Sequence, residues 1–308
     1  MIDNKLNSAI DTLANEFGKL DFSYHIIPNT NEKATYWLGS EDEDIKICVL
    51  KDKNLKEDFH KQDFFFLNYA YKNSYQALSD NSNNLITINE YECYIAQPGN
   101  GYALKGNEKD DIIVIGVLIK KDTFFKEYFS NIATSSFLFD FFLDTNNSND
   151  KFIKLNFDKC SQFRKLLEIM VVEYANKDDN TQNILKSLVL ALLFDVSRTY
   201  KKQYLMEATT LSLENQIVQY INDNYDNVTL EKIAKYFGYH PNYISSLLHK
   251  RLGKTFSNIL LDVRMLKAQK LLDGTSLSVG EISEILGYSD ESNFYKVYKN
   301  YYKKTPRK

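Results

Sequence analysis

The side chains that could do chemistry are few. The 308 residues hold 4 His and 3 Cys, and Cys48, Cys93 and Cys160 stand far apart with no CxxC pair. That usage supports neither a thiolate zinc site nor a disulfide framework, and it suits a reducing compartment. No His, Cys, Ser or carboxylate constellation has the spacing of a nucleophile with its base, and no phosphate-cradling or dinucleotide-binding glycine pattern occurs. No catalytic residue, metal ligand or cofactor is therefore assigned. What remains is hydrogen bonding. Asn242, Ser245 and Ser246 with His249, and Ser292, Asn293 and Lys296 with Tyr295 and Lys299, form two polar groups in the C-terminal third. Amides, hydroxyls and ammonium groups on one helix face pair with the donors and acceptors of another molecule.

Both groups lie in a repeat. The stretch TLEKIAKYFGYHPNYISSLLHK from Thr229 is matched by SVGEISEILGYSDESNFYKVYK from Ser278. Each begins with a hydroxyl residue at an N-cap position, continues as a short amphipathic helix and reaches a Gly-Tyr pair. In the following segment Ile244, Leu247 and Leu248 correspond to Phe294, Val297 and Tyr298. These must face a core, which leaves the polar groups outside. Helix, glycine turn and second helix make a helix-turn-helix unit, used here twice. A helical pattern over Phe256–Leu272 joins the two units. At 1.5 Å per residue it is ~26 Å long, compatible with recognition helices one duplex turn, ~34 Å, apart.

Residues 213–306 resemble the AraC/XylS family of bacterial transcription regulators. Beyond the first unit, the matching positions are Gly253, Phe256, Arg264, Ala268, Leu271-Leu272, Ile282, Gly287-Tyr288-Ser289, Asn293-Phe294, Lys299, Tyr301 and Thr305-Pro306. The resemblance implies a sequence-specific binder of double-stranded DNA that regulates transcription, an activator by family habit, with RNA polymerase as partner if it activates. It places base readers at Asn242, Ser245, Ser246, Ser292, Asn293 and Lys296. Neither reading face holds an arginine, the commonest guanine reader, whereas asparagine pairs best with adenine, so an A·T-rich site is expected. Lys250, Arg251, Lys254, Lys299, Lys303 and Lys304 lie near helix ends or edges, where contacts to the DNA backbone position a protein without reading sequence.

The N-terminal part is of another kind. Leu6, Ile10, Leu13 and Phe17 make one helical stripe, and from Asp21 come short runs rich in Ile, Val, Tyr and Phe, among them IKICVL, DFFFLNYAY, LITI, YECYIAQ and IIVIGVLI. Partial alternation marks these as strands of a sandwich or barrel. HKQDFFFLNYAY and NEYECYIAQPGNGYAL resemble, more loosely, the two motifs of the cupin barrel. Of the cupin metal ligands only His60 is kept, since Gln62-Asp63 and Tyr102 stand where others would be, so no metal is expected. An aromatic interior could hold a small-molecule effector, with Trp37, His60, Phe64, Phe66, Tyr94 and Tyr102 as lining candidates and core packing as the other reading of each.

Two helices follow the barrel, and the second carries Ile184, Leu185, Leu188, Val189, Leu192, Leu193 and Val196, more apolar positions than one packing stripe uses. Burial against the strands or a dimer seam would account for it, and a homodimer through the helix at about 181–200 is expected.

The fold class is thus α+β: a cupin-like sensing and dimerisation domain over 1–208, with the barrel at about 21–120 and helices at about 122–205, then an all-α DNA-binding domain over 209–308. Charge follows the same division, with 14 Lys+Arg against 10 Asp+Glu in residues 210–308 and 24 against 31 elsewhere. No apolar run is long enough for a bilayer and no secretory leader is evident, so a cytoplasmic chain is expected. The alternative is a cupin-like small-molecule-binding protein or enzyme with an incidental helical tail.

Overall fold

The computed structural model describes residues 2–19, 24–27, 32–53, 56–79, 85–106, 111–128, 141–142, 152–204 and 212–306. The chain divides into two compact units, Met1–Phe124 with Ser148–Gln203 and Phe125–Asn147 with Tyr204–Lys308.

The first unit starts with helix α1 (Ile2–Phe17), whose Leu6, Ile10 and Leu13 are buried. The strands are β1 (His25–Ile26), β2 (Lys33–Thr35), β3 (Ile45–Asp52), β4 (His60–Gln62), β5 (Phe64–Lys72), β6 (Tyr75–Ser79), β7 (Leu85–Ile88), β8 (Glu92–Ala96), β9 (Gly101–Lys105), β10 (Ile112–Lys120) and β11 (Phe152–Asn156). They form a six-stranded sheet, β1-β2-β4-β9-β6-β7, and a five-stranded sheet, β11-β8-β5-β10-β3. Pairing is antiparallel except between β2 and β4. Inward residues of both sheets share one core: Cys48, Phe64, Phe66, Tyr94 and Val114 from one, Tyr75, Ala77, Ile88, Tyr102 and Leu104 from the other.

The five-stranded sheet is buried on its second face too. Tyr69 meets Phe163 of helix α2 (Gln162–Ala175), with ring centroids 5.5 Å apart, and α1 and α2 both pack on β3. Burial on both faces explains why β5 and β10 read as continuous apolar runs rather than alternating ones.

The strands do not close into the expected barrel. Helix α3 (Thr181–Tyr204) occupies the two edges of the five-stranded sheet with side-chain amides. Gln182 Oε1 accepts from the backbone N–H groups of Asp44 and Ile45 at 3.0 and 3.1 Å, ahead of and in β3, and its Nε2 donates to Ile45 O. Near the other end of the helix, Gln203 Oε1 accepts from Asn156 N in β11. Edge groups that a neighbouring strand would need are thereby used. The region expected to be helical from 122 also contains β11, paired to β8.

The apolar stripe of α3 is largely internal. Leu185, Val189, Leu192, Leu193 and Val196 are fully buried within the chain, so they do not form a free seam as expected. Ile184 and Phe194 remain exposed and Leu188 is half-buried. No helix among the described residues is long and apolar enough to cross a membrane.

From Leu213 the described chain is helix and turn: α4 (Leu213–Asp223), α5 (Leu230–Phe237), α6 (Pro241–Leu252), α7 (Phe256–Gly274), α8 (Val279–Ile285) and α9 (Glu291–Tyr302). Ile217, Ile221, Ile233, Ile244, Leu248 and Ile259 bind α4, α5, α6 and the start of α7 into one core.

Candidate nucleic-acid interface

Each second helix of the repeat is started and aimed by local chemistry. In the first unit Thr229 caps α5 by accepting from Lys232 N, and Gly238 turns the chain at φ +72°. His240 then caps α6 by accepting at Nδ1 from Asn242 N, with Pro241 in the first turn, where the missing N–H costs nothing. In the second unit Ser278 and Glu281 form a reciprocal capping box at α8, Gly287 turns at φ +73°, and Asp290 caps α9 by accepting from Asn293 N at 2.7 Å.

These starts fix the helix faces. Ile244 and Leu248 of α6, and Phe294 and Tyr298 of α9, are buried; Leu247 and Val297 are half-buried beside them. Asn242, Ser246 and His249 are exposed on α6, as are Ser292, Asn293, Lys296 and Lys299 on α9. Ser245 and Tyr295, expected on the open faces, are half-buried at their margins. The two faces therefore present amide, hydroxyl and ammonium groups able to pair with base edges.

The basic residues expected beside them are placed unequally. Lys250 and Arg251 are exposed in the last turn of α6, and Lys303 and Lys304 follow α9. Lys254 is engaged within the fold: its ammonium lies 2.7 Å from Asp262 of α7, which also accepts from Tyr301 Oη at 2.9 Å. A phosphate would have to compete with that carboxylate.

The structure also shows contacts that sequence reasoning did not foresee. Tyr239 and Tyr243 flank Asn242 as an exposed stacked pair, centroids 4.9 Å apart. Arg264 on α7 donates from Nε to Tyr225 O at 2.8 Å and from Nη2 to Asp226 O at 3.0 Å, with its guanidinium 5.2 Å from the Tyr288 ring. The matching motif marked Arg264, but its partners lie in a turn far away in sequence.

In the N-terminal unit, Met1–Phe124 with Ser148–Gln203, most of the expected ligand-lining residues meet. Phe66 lies 5.2 Å from Tyr102 and 5.9 Å from Tyr94, the latter two are 5.0 Å apart, and Trp37 meets Phe64 edge-on at 5.8 Å. His60 is the register partner of Tyr102. Its Nε2 faces Gln62 Nε2 at 3.2 Å and its Nδ1 faces Asp58 O at 2.7 Å. With the amide nitrogen donating to it, His60 Nε2 accepts, and Nδ1 donates to the Asp58 carbonyl, the arrangement of a neutral imidazole. Burial, the main cause, pushes the His60 pKa down, and the Asp58 carbonyl opposes it.

Around these rings runs a polar set that was not foreseen. Ser79 Oγ and Tyr94 Oη are 2.7 Å apart, and Asn100 Nδ2 donates to Tyr94 Oη at 2.9 Å. Asn100 Oδ1, Gln62 Oε1 and Thr35 Oγ1 are buried without a hydrogen-bond partner among the described residues. Asn68 also points inward, into space left by Gly116, where a Cβ would come within 2.9 Å of Asn68 Oδ1. That glycine, inside IIVIGVLI, was the available signal. No group of three or more His, Cys, Asp or Glu among the described residues could hold a metal ion.

Residues 233–308 match the family model described as a helix-turn-helix domain. The chain is 29% identical over 143 residues to the Msm operon regulatory protein of Streptococcus mutans, covering 45% of this chain and 51% of that protein. It is 25% identical over 243 residues to the uncharacterized HTH-type transcriptional regulator YfiF of Bacillus subtilis, covering 71% and 76%. A solved structure, the C-terminal domain of the response regulator AraT from Geobacillus stearothermophilus, is 32% identical and covers 32% of this chain and 84% of that one, with a TM-score of 0.31. Against the first three curated relatives, the chain spans about half of their length or less.

Proposed function

We propose that this chain, whose C-terminal region is a helix-turn-helix domain of the AraC/XylS type, is a sequence-specific DNA-binding transcription regulator. The observation that carries this reading is the tandem repeat itself, with α6 and α9 each burying one face and exposing an amide-, hydroxyl- or ammonium-bearing other. In this reading Asn242, Ser246, Ser292, Asn293 and Lys296 read base edges, and Ser245 contributes from the margin. Lys250, Arg251, Lys299, Lys303 and Lys304 meet phosphates, and Lys254 does so by leaving Asp262. With no arginine on either face, the preferred duplex is A·T-rich.

The DNA-binding domain extends from about 209 to 308, and the preceding 1–208 senses and dimerises. The orphaned buried atoms of Asn100, Gln62 and Thr35 support a polar small-molecule effector seated between the sheets, because such groups are costly unless something pairs with them. Ile184 and Phe194, exposed on α3, support a homodimer through that helix. The protein works in the cytoplasm and, acting as an activator, contacts RNA polymerase. No finding favours the alternative of a cupin-like small-molecule-binding protein or enzyme with an incidental helical tail.

Selection from a random duplex library with the full-length chain tests the reading. Enrichment of an A·T-rich site with two sequence blocks is expected; recovery of no enriched sequence would overturn it.

A further inference from the structure

The two glycines of the repeat have the same backbone conformation but different surroundings. At Gly238 (φ +72°) an added Cβ would meet nothing within 4 Å. At Gly287 (φ +73°) it would lie 1.8 Å from the carbonyl oxygen of Asp226, in the turn between α4 and α5. The first glycine is required only for its φ, whereas the second is required because the turn of the second unit is pressed against a turn of the first.

The same turn is gripped from the linker helix. Arg264 donates to Tyr225 O and Asp226 O, and its guanidinium lies over Tyr288, the residue after Gly287. One residue of α7 thus ties a loop of the first unit to the turn that aims α9 in the second. Along α7, Ile259 belongs to the core of the first unit, while Gln269 accepts from Tyr298 Oη at 2.8 Å and Met265 O from Tyr302 Oη at 3.0 Å. A single helix joining two bodies leaves them free to rock about it. A direct contact between the bodies, locked by a side chain from the helix, closes a triangle and removes that freedom.

We propose that Arg264 and Gly287 act as a positioning brace that sets the separation between the two base blocks the chain reads, so that spacing is itself a specificity determinant. This rests on the DNA-binding reading above. Inserting one base pair between the blocks moves the second block ~3.4 Å along the duplex and turns it by ~34°. A braced pair cannot follow both displacements, whereas an unbraced pair accommodates them by bending at α7.

The experiment competes the site recovered from the random library against versions with one base pair inserted or removed between its blocks, using the full-length chain. The wild-type chain is expected to lose about tenfold or more for either change. Arg264→Lys keeps the charge and aliphatic stem but loses the two-carbonyl grip, and its loss should shrink to within about threefold. Gly287→Ala should do the same, while Gly238→Ala, strained only in φ, should keep the full spacing penalty. The ratio between spacings is insensitive to a general loss of folded protein, which weakens binding to all sites alike. Tolerance of altered spacing by the wild type, or an unchanged penalty in folded Arg264→Lys, would overturn the brace. A wild-type chain that selects no site at all would instead contradict the DNA-binding reading on which the brace depends.

Discussion

At the scale of single residues, the exposed faces of α6 and α9 make different claims from the basic residues around them. Asn242→Ala and Lys296→Ala should each weaken binding to the selected site by ~1–3 kcal/mol while leaving non-specific affinity nearly unchanged, as measured by fluorescence anisotropy. Lys299→Ala should instead weaken binding to every duplex similarly and reduce the salt slope by about one. An unaltered site preference in Asn242→Ala would reassign that reader. His60 gives a pH-dependent test in the other unit. Buried and neutral, its pKa lies below its ordinary value, which the unfolded chain regains at ~6.5. As pH falls, the unfolded state takes up the proton first, so the contribution of His60 to stability is fully present above ~6.5 and is lost below it. Urea midpoints should therefore fall more steeply from about pH 7.5 to about 5.5 in the wild type than in His60→Asn; parallel slopes would contradict the buried neutral tautomer.

At the scale of elements, α3 separates core from surface. Leu192 is fully buried, so Leu192→Glu places a charge in the packed interior and should unfold the N-terminal unit, seen as loss of its cooperative transition. Ile184→Glu with Phe194→Glu alters only exposed positions and should give a folded monomer by sedimentation, with weakened binding to a paired site; a dimer that survives would move the interface elsewhere. The same helix shows where sequence stops being informative. Its periodicity reveals a helix with surplus apolar residues, but which of them face inward depends on the sheet it crosses. The amides of Gln182 and Gln203 that cap the sheet edges carry no local signal at all. Strands such as β1, β2 and β4 are too short for an alternation to register, whereas β5 and β10 stood out because both faces are buried.

At the scale of the whole molecule, the repeat was legible because two copies of one helical period, each broken by Gly-Tyr at the same place, cannot arise from packing of an unrelated core alone. What the repeat could not reveal is contact between its copies, since Arg264 and its carbonyl partners are 38 and 39 residues apart and share no local pattern. The polar interior of the sandwich was hidden for a similar reason: Asn68 and Gly116 become neighbours only through the register of β5 with β10. The charge division, basic in the C-terminal third and acidic elsewhere, points to an anionic partner for one part of the chain only. Recognition of duplex DNA by sequence is tested most directly by titrating the full-length chain with the library-selected duplex and a scrambled duplex of equal composition across a salt series. The expected result is a steep negative dependence of log K on log salt for both duplexes, with the selected one bound at least about a thousandfold more tightly at physiological salt. Equal affinity for the two duplexes, or binding that does not weaken as salt rises, would contradict it.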